Sequence, residues 1–158
     1  MTRMLRTHAA YNDCLEMSSS TNIADGPVLN YLVQYLLILF SAEIESEISK
    51  IVCMKASSIE DDQVREYLIR TCSRNLRSVE KGEIATFVSK FGNSSRDKFN
   101  NLLIDDKKVT LYNNAIKQRH SVAHRSNQSS NLTLKEFSEA LDIAVEILDA
   151  FKEALNVN

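Results

Sequence analysis

At 158 residues, 44% of them hydrophobic and 25% charged, the chain has the size and composition of one soluble domain with a core of its own. Its net charge of −2 excludes a global electrostatic grip on nucleic acid, so any polyanion must be held by a local patch. Three Gly and one Pro leave few tight turns, which disfavours a hairpin-rich β fold and favours long helices.

A first helix is predicted over about residues 3 to 17, ending in the polar linker Ser18 to Asn22. Asp25-Gly26-Pro27 opens the second, because proline at the first helical position gives up an N–H that has no partner there anyway. This helix should run to about Lys55. Its first half is apolar on nearly every side; its second narrows to Phe40, Ile44, Ile48 and Ile51 against Glu43, Glu45, Glu47 and Lys50. A helix apolar all round must be covered on more than one side, which makes its beginning a central element or part of a subunit interface.

Ser58 is the expected cap of a third helix, with Glu60, Asp61 and Asp62 in its first turn. A shorter helix from Val79 should stop at Gly92, and Ser94 or Ser95 should cap another holding Phe99, Leu102 and Leu103. Asp105 and Asp106 open the next, and after the loop Ser126 to Asn131 the run Thr133-Leu134-Lys135-Glu136 reads as a capping box. In the last helix Leu134, Phe137, Leu141, Ala144, Leu148, Phe151 and Leu155 alternate in steps of three and four, the seam of an antiparallel bundle. The expectation is one all-α domain over 1–158, an antiparallel up-and-down bundle of four long helices plus short extra ones. Residues 1–22 form the N-terminal helix and Ser-rich linker, and 27–158 the core bundle.

The stretch Val28 to Phe40 is interrupted by Asn30 and Gln34 and is too short to span a bilayer. Met1 to Arg6 lack the apolar core of a signal peptide. Cys14, Cys53 and Cys72 show neither metal nor disulfide spacing, which suits buried or spare thiols in a reducing compartment. A cytoplasmic protein with no membrane partner is expected. The Asn-x-Ser/Thr matches at Asn93, Asn127 and Asn131 would matter only in a secreted chain.

The chemistry concentrates in Arg119-His120-Ser121-Val122-Ala123-His124-Arg125. On an ideal helix Leu111, Tyr112, Ala115, Ile116, Val122 and Ala123 form one apolar arc, with Val109 at its margin, and Arg119 falls inside it. His120 and His124 lie one turn apart at the edge, beside Asn113 and Lys117, while Asn114, Gln118, Ser121 and Arg125 face outward. A guanidinium keeps its charge when buried, so Arg119 must meet a carboxylate, a carbonyl cluster or a bound anion. Two readings stay open: an ion pair with Glu43 or Glu47 on the second helix, or a site closing over a phosphate.

His120 and His124 at i, i+4 could chelate a metal, but no Glu-x-x-His, second His pair or Cys cluster supplies further ligands, so no metal or other cofactor is expected. His8 stands alone and is expected to be exposed. There is no Gly-x-Ser-x-Gly elbow, Gly-rich phosphate loop or dinucleotide fingerprint. Lys107, Lys108, Lys117, Arg119 and Arg125 gather on or near the motif helix, as an RNA-attracting patch or merely as its solvated basic side. Tyr112 is placed in the core, where it cannot stack on a base.

Arg119-x4-His124 on the penultimate long helix of a small helical domain resembles the signature of the HEPN superfamily, an Arg followed after four to six residues by His. His120 takes the position after the Arg, which is polar in that family. The context is similar too: a hydrophobic second helix with acids, Phe87-Val88-Ser89-Lys90-Phe91-Gly92, Arg-His-x-x-Ala-His, then a capped Thr-Leu-x-Glu helix. The chain looks like the RiboL-PSP-HEPN group or a closely related HEPN group, from about Pro27 onward, with no family signal in the first helix.

The resemblance implies a metal-independent endoribonuclease acting as a homodimer, with RNA as substrate and an antitoxin or other regulatory protein as a possible partner. It casts His124 as the general acid or base in attack of a ribose 2′-hydroxyl on the adjacent phosphate. Arg119 would hold the phosphate with its bidentate fork, and His120 would orient the pair or assist in proton transfer. The products would carry a 2′,3′-cyclic phosphate and a 5′-hydroxyl. The competing implication is a non-catalytic HEPN-like module that binds a nucleotide or a partner protein. Arg119 and His124 lie roughly 140° apart on one ideal helix, so either that helix distorts near Ala123 or two copies share a site across a two-fold axis.

Overall fold

The apolar run that begins at Pro27 folds as a single helix of 30 residues, α2 (Pro27–Ala56), and the rest of the chain is arranged along it. The computed structural model describes residues 3–20, 27–76, 78–124 and 132–157, and of 73–75 and 120–124 the backbone alone. Those residues form seven helices and no strand: α1 (Leu5–Ser20), α2, α3 (Asp62–Asn75), α4 (Lys81–Ser89), α5 (Asn93–Leu102), α6 (Asp106–His124) and α7 (Leu134–Ala154). The expected all-α bundle of four long helices with short extra ones is what the chain forms. By length and composition α2 could cross a membrane, unlike the shorter stretch judged from the sequence, but it serves here as a core helix.

Pairings fix the directions. Glu43 of α2 meets Thr7 of α1 and Glu47 meets Arg3, so α1 and α2 are antiparallel. Phe40 packs on Phe137, and Arg3 links Glu47 to Asp149, so α2 and α7 run parallel. α6 returns beside both; Phe40 sits edge-on to Tyr112. The core lies between these four helices, with Leu36, Leu37, Phe40, Ile44, Phe99, Tyr112, Phe137 and Phe151 sealed from solvent.

α7 buries more than its seam. Ala140, Ile143, Ile147, Ala150 and Ala154 join Phe137, Leu141, Ala144, Leu148 and Phe151, because α2, α5 and α6 all pack against it. Its capping box forms as read: Thr133 Oγ1 accepts from the Glu136 N–H, and Glu136 accepts from the Thr133 N–H at 2.9 Å. The Thr133 N–H and the Thr133 hydroxyl, which donates to the same carboxylate at 2.8 Å, hold the Glu136 carboxyl below its usual range.

Several ends differ from the sequence-based expectation. α1 continues through Ser18–Ser20 because Ser19 and Ser20 return their hydroxyls to the carbonyls of Glu16 and Met17, which keeps the last turn closed. α3 is capped by Asp61, whose carboxylate accepts from the N–H groups of Gln63 and Val64, while the Ser58 hydroxyl donates to Lys55 O at the end of α2. α4 is shorter than expected, and Gly92, at φ +126°, both ends that segment and caps α5, so Ser94 and Ser95 fall inside the helix. The expectations for Asn22, Asp25-Gly26, Arg125 and the loop Ser126 to Asn131 lie outside the described residues.

Candidate functional site

α6 starts at Asp105, whose carboxylate accepts from the N–H groups of Lys107 (3.0 Å) and Lys108 (3.2 Å). Tyr112, Ala115 and Ile116 are buried and Leu111 half-buried, while Asn114 and Lys117 are exposed. From Leu111 to Ile116 the predicted apolar arc is therefore the face α6 turns inward, and the side chains of Val122 and Ala123 lie outside the described residues. Tyr112 anchors it: the phenol donates to Val79 O at 2.5 Å, and burial, ahead of the nearby Glu80 charge, pushes its pKa far above the usual value.

Arg119 lies on that face one turn beyond Ala115 and Ile116. The residue is half-buried and its Nε is shielded from solvent. The two acids considered as ion-pair partners have other roles. Glu43 accepts from the N–H groups of Arg6 (3.0 Å) and Thr7 (2.8 Å) and from the Thr7 hydroxyl (2.6 Å), so it caps α1 from a neighbouring helix. Burial raises the Glu43 pKa, but these donors and the Arg6 charge outweigh it and hold the carboxyl below its ordinary value. Glu47 binds Arg3 at 3.4 Å and Lys50 at 2.5 Å.

The side chains of His120 and His124 lie outside the described residues. Their backbone is helical through His124. The backbone shows no break near Ala123, the distortion that would have let one helix bring positions 119 and 124 together. Asn113 and Lys117 mark the edge of α6 on which ideal-helix spacing sets positions 120 and 124. Asn113 Oδ1 accepts from the Lys81 N–H at 3.0 Å, and Lys117 stands 4.0 Å from the Glu80 carboxylate, so that edge faces the start of α4.

The basic cluster is partly neutralised within the chain. Lys108 pairs with Glu146 at 2.7 Å, an interaction that raises the lysine pKa, and Lys117 faces Glu80. His8, expected to be exposed, is half-buried on α1. Cys14 is buried, Cys53 exposed and Cys72 half-buried, all as free thiols. Cys53 and Cys72 line a cavity of about 150 Å³ between α2 and α3, over Ile48, Val52 and Phe87, in another part of the bundle from Arg119.

Two features escaped the sequence reading. The Glu43 clasp on α1 leaves no local signal, since its partners are 36 and 37 residues away. The apolar stripe Val28, Tyr31, Tyr35 and Ile38 on the exposed side of α2 was legible in its 3-4-3 spacing, but was hidden among the other apolar residues of that run.

No curated protein and no solved structure matches the chain. The family model for RiboL-PSP-HEPN proteins matches residues 9–157. That match begins inside α1, well before the Pro27 start inferred from the motifs, and takes in nearly every described element, including the helix with Arg119 and His124. The chain belongs to the RiboL-PSP-HEPN family, within the HEPN superfamily.

Proposed function

We propose that the protein is a metal-independent endoribonuclease whose site is made by Arg119 and His124 from two copies of the chain. The observation that carries this reading is the seat of Arg119, a permanent charge in register with Tyr112, Ala115 and Ile116 at the end of the core face of α6. A guanidinium placed there is oriented by the fold rather than by solvent, which is what a phosphate clamp requires.

In the proposed reaction the ribose 2′-oxygen attacks the adjacent phosphorus and the 5′-oxygen of the next nucleotide leaves. One imidazole takes the 2′-hydroxyl proton and another proton returns to the leaving oxygen. His124 fills one of these roles and His120 assists in the other or orients the pair. Arg119 stabilises the charge on the equatorial phosphate oxygens. The continuous α6 backbone supports the two-copy arrangement, because positions 119 and 124 are roughly 140° apart on an ideal straight helix.

A second reading, a non-catalytic module that binds a nucleotide or a partner protein, is favoured by one observation: Glu146 and Glu80 offset the lysines that would draw RNA to this helix. Incubation of purified protein with mixed RNA in EDTA separates the two. The nuclease reading predicts cleavage to 2′,3′-cyclic phosphate ends, reduced by about 100-fold or more in both His124→Ala and Arg119→Ala. Intact RNA with wild-type protein would select the binding module.

A further inference from the structure

Residues 27–42 of α2 contain no charged side chain. Their inward face is in the core through Val33, Leu36, Leu37 and Phe40. Roughly opposite, on an ideal helix, stand Val28, Tyr31, Tyr35 and Ile38. They are 48%, 68%, 56% and 47% exposed. Steps of three, four and three are the a/d spacing by which one helix receives another. The seam reaches one step further to exposed Ala42 and ends at Glu45, so its midpoint is Tyr35.

We infer that this seam is where a second copy of the chain packs, α2 against α2, with the two-fold axis beside Tyr35. This rests on the two-copy reading proposed above and names the face that makes it. Charge selects the occupant. A face without Lys or Arg offers phosphates nothing, whether from RNA or from lipid headgroups, whereas an uncharged apolar seam is complementary to itself across a two-fold axis. The exposed apolar area of the four residues is on the order of 400 Å², about half of what one partner contributes to a standard interface.

Register ties the seam to the motif. Phe40 packs on Tyr112 and α6 runs antiparallel to α2, so Arg119, seven residues further on, stands about level with Val33. An axis beside Tyr35 therefore sets the Arg119 residues of both copies at nearly the same level along the paired α2 helices.

The test is sedimentation equilibrium of the full chain, wild type beside Tyr35→Glu. The expected result is a wild-type dimer and, for the variant, a dissociation constant raised by about 100-fold with an unchanged helical spectrum, since the side chain is exposed. As a second variant, Tyr35→Cys in a Cys53→Ser background should become a covalent dimer when oxidised with glutathione disulfide. Two thiols and one glutathione disulfide give one intersubunit disulfide and two glutathione thiols. A monomeric wild type, a monomer that instead floats with phosphatidylcholine vesicles, or a Tyr35→Glu protein as dimeric as wild type would each overturn the inference. RNA cleavage is scored separately: a dimer that leaves RNA intact defeats the nuclease reading and spares this face, whereas a monomer that cleaves RNA defeats this face together with the two-copy site.

Discussion

The outer side of α2 changes character at Ala42. Before it stand Val28, Tyr31, Tyr35 and Ile38; beyond it stand Glu45, Ser46, Ser49, Lys50 and Cys53. The inner side does not change: Val33, Leu36, Leu37, Phe40, Ile44, Ile48 and Ile51 are buried along its length. In the second half the acids have structural work within the chain, Glu43 capping α1 and Glu47 binding Arg3, and α3 runs back along the helix as far as Glu45. In the first half the apolar outer face takes no part in the core. The fold of one copy explains one half of the helix; the proposed partner would account for the other.

The largest expected effect is on the side the two halves share. Phe40→Ala removes a sealed ring that touches both Tyr112 and Phe137 and should cost about 3–5 kcal/mol in urea unfolding. A loss under about 1 kcal/mol would mean that the two halves do not share one core.

Next comes Glu43→Ala, which strips two N–H groups and a hydroxyl at the start of α1 of their acceptor and should cost about 2 kcal/mol. The Glu43 carboxyl is held below its ordinary value in the folded protein. Its contribution is thus full above the unfolded-state carboxylate pKa and is lost as pH falls through the lower folded value. Wild-type stability should fall over that acid window, and Glu43→Gln should flatten the fall. Equal slopes in the two proteins would remove the acid clasp from the account of the second half.

Thr133→Ala should cost about 1 kcal/mol by opening the capping box of α7. This end of the bundle lies beside the first half of α2, so the measurement gives the scale of a local defect there. Smallest is Tyr31→Ala, whose side chain lies outside the core. Measured at a dilution that holds the protein monomeric, it should change stability by less than about 0.5 kcal/mol. A larger loss would show that the outer face already supports the single copy.

The fold was legible wherever a local pattern suffices. Pro27 at the first position of α2, the Thr133–Glu136 box, the alternation along α7 and the inward arc of α6 through Tyr112 and Ile116 all follow from neighbours within two turns. The caps at Ser58 and Ser94 were misjudged for a local reason too, because an aspartate or a left-handed glycine stood close by and took the role. Of the site, the placement of Arg119 on a core face could be read, since helical register needs only spacing. The register of α6 against α2, and the acids committed to α1, could not.

The sequence by itself determined the helical class, the helix that carries Arg119, His120 and His124, and the family, because periodicity, caps and motif spacing act within a single helix. Only the tertiary structure decided that Glu43 and Glu47 serve α1 and that Val28, Tyr31, Tyr35 and Ile38 face outward. An apolar side chain favours burial equally against any partner, and which side of α2 is covered depends on helices far away in the chain.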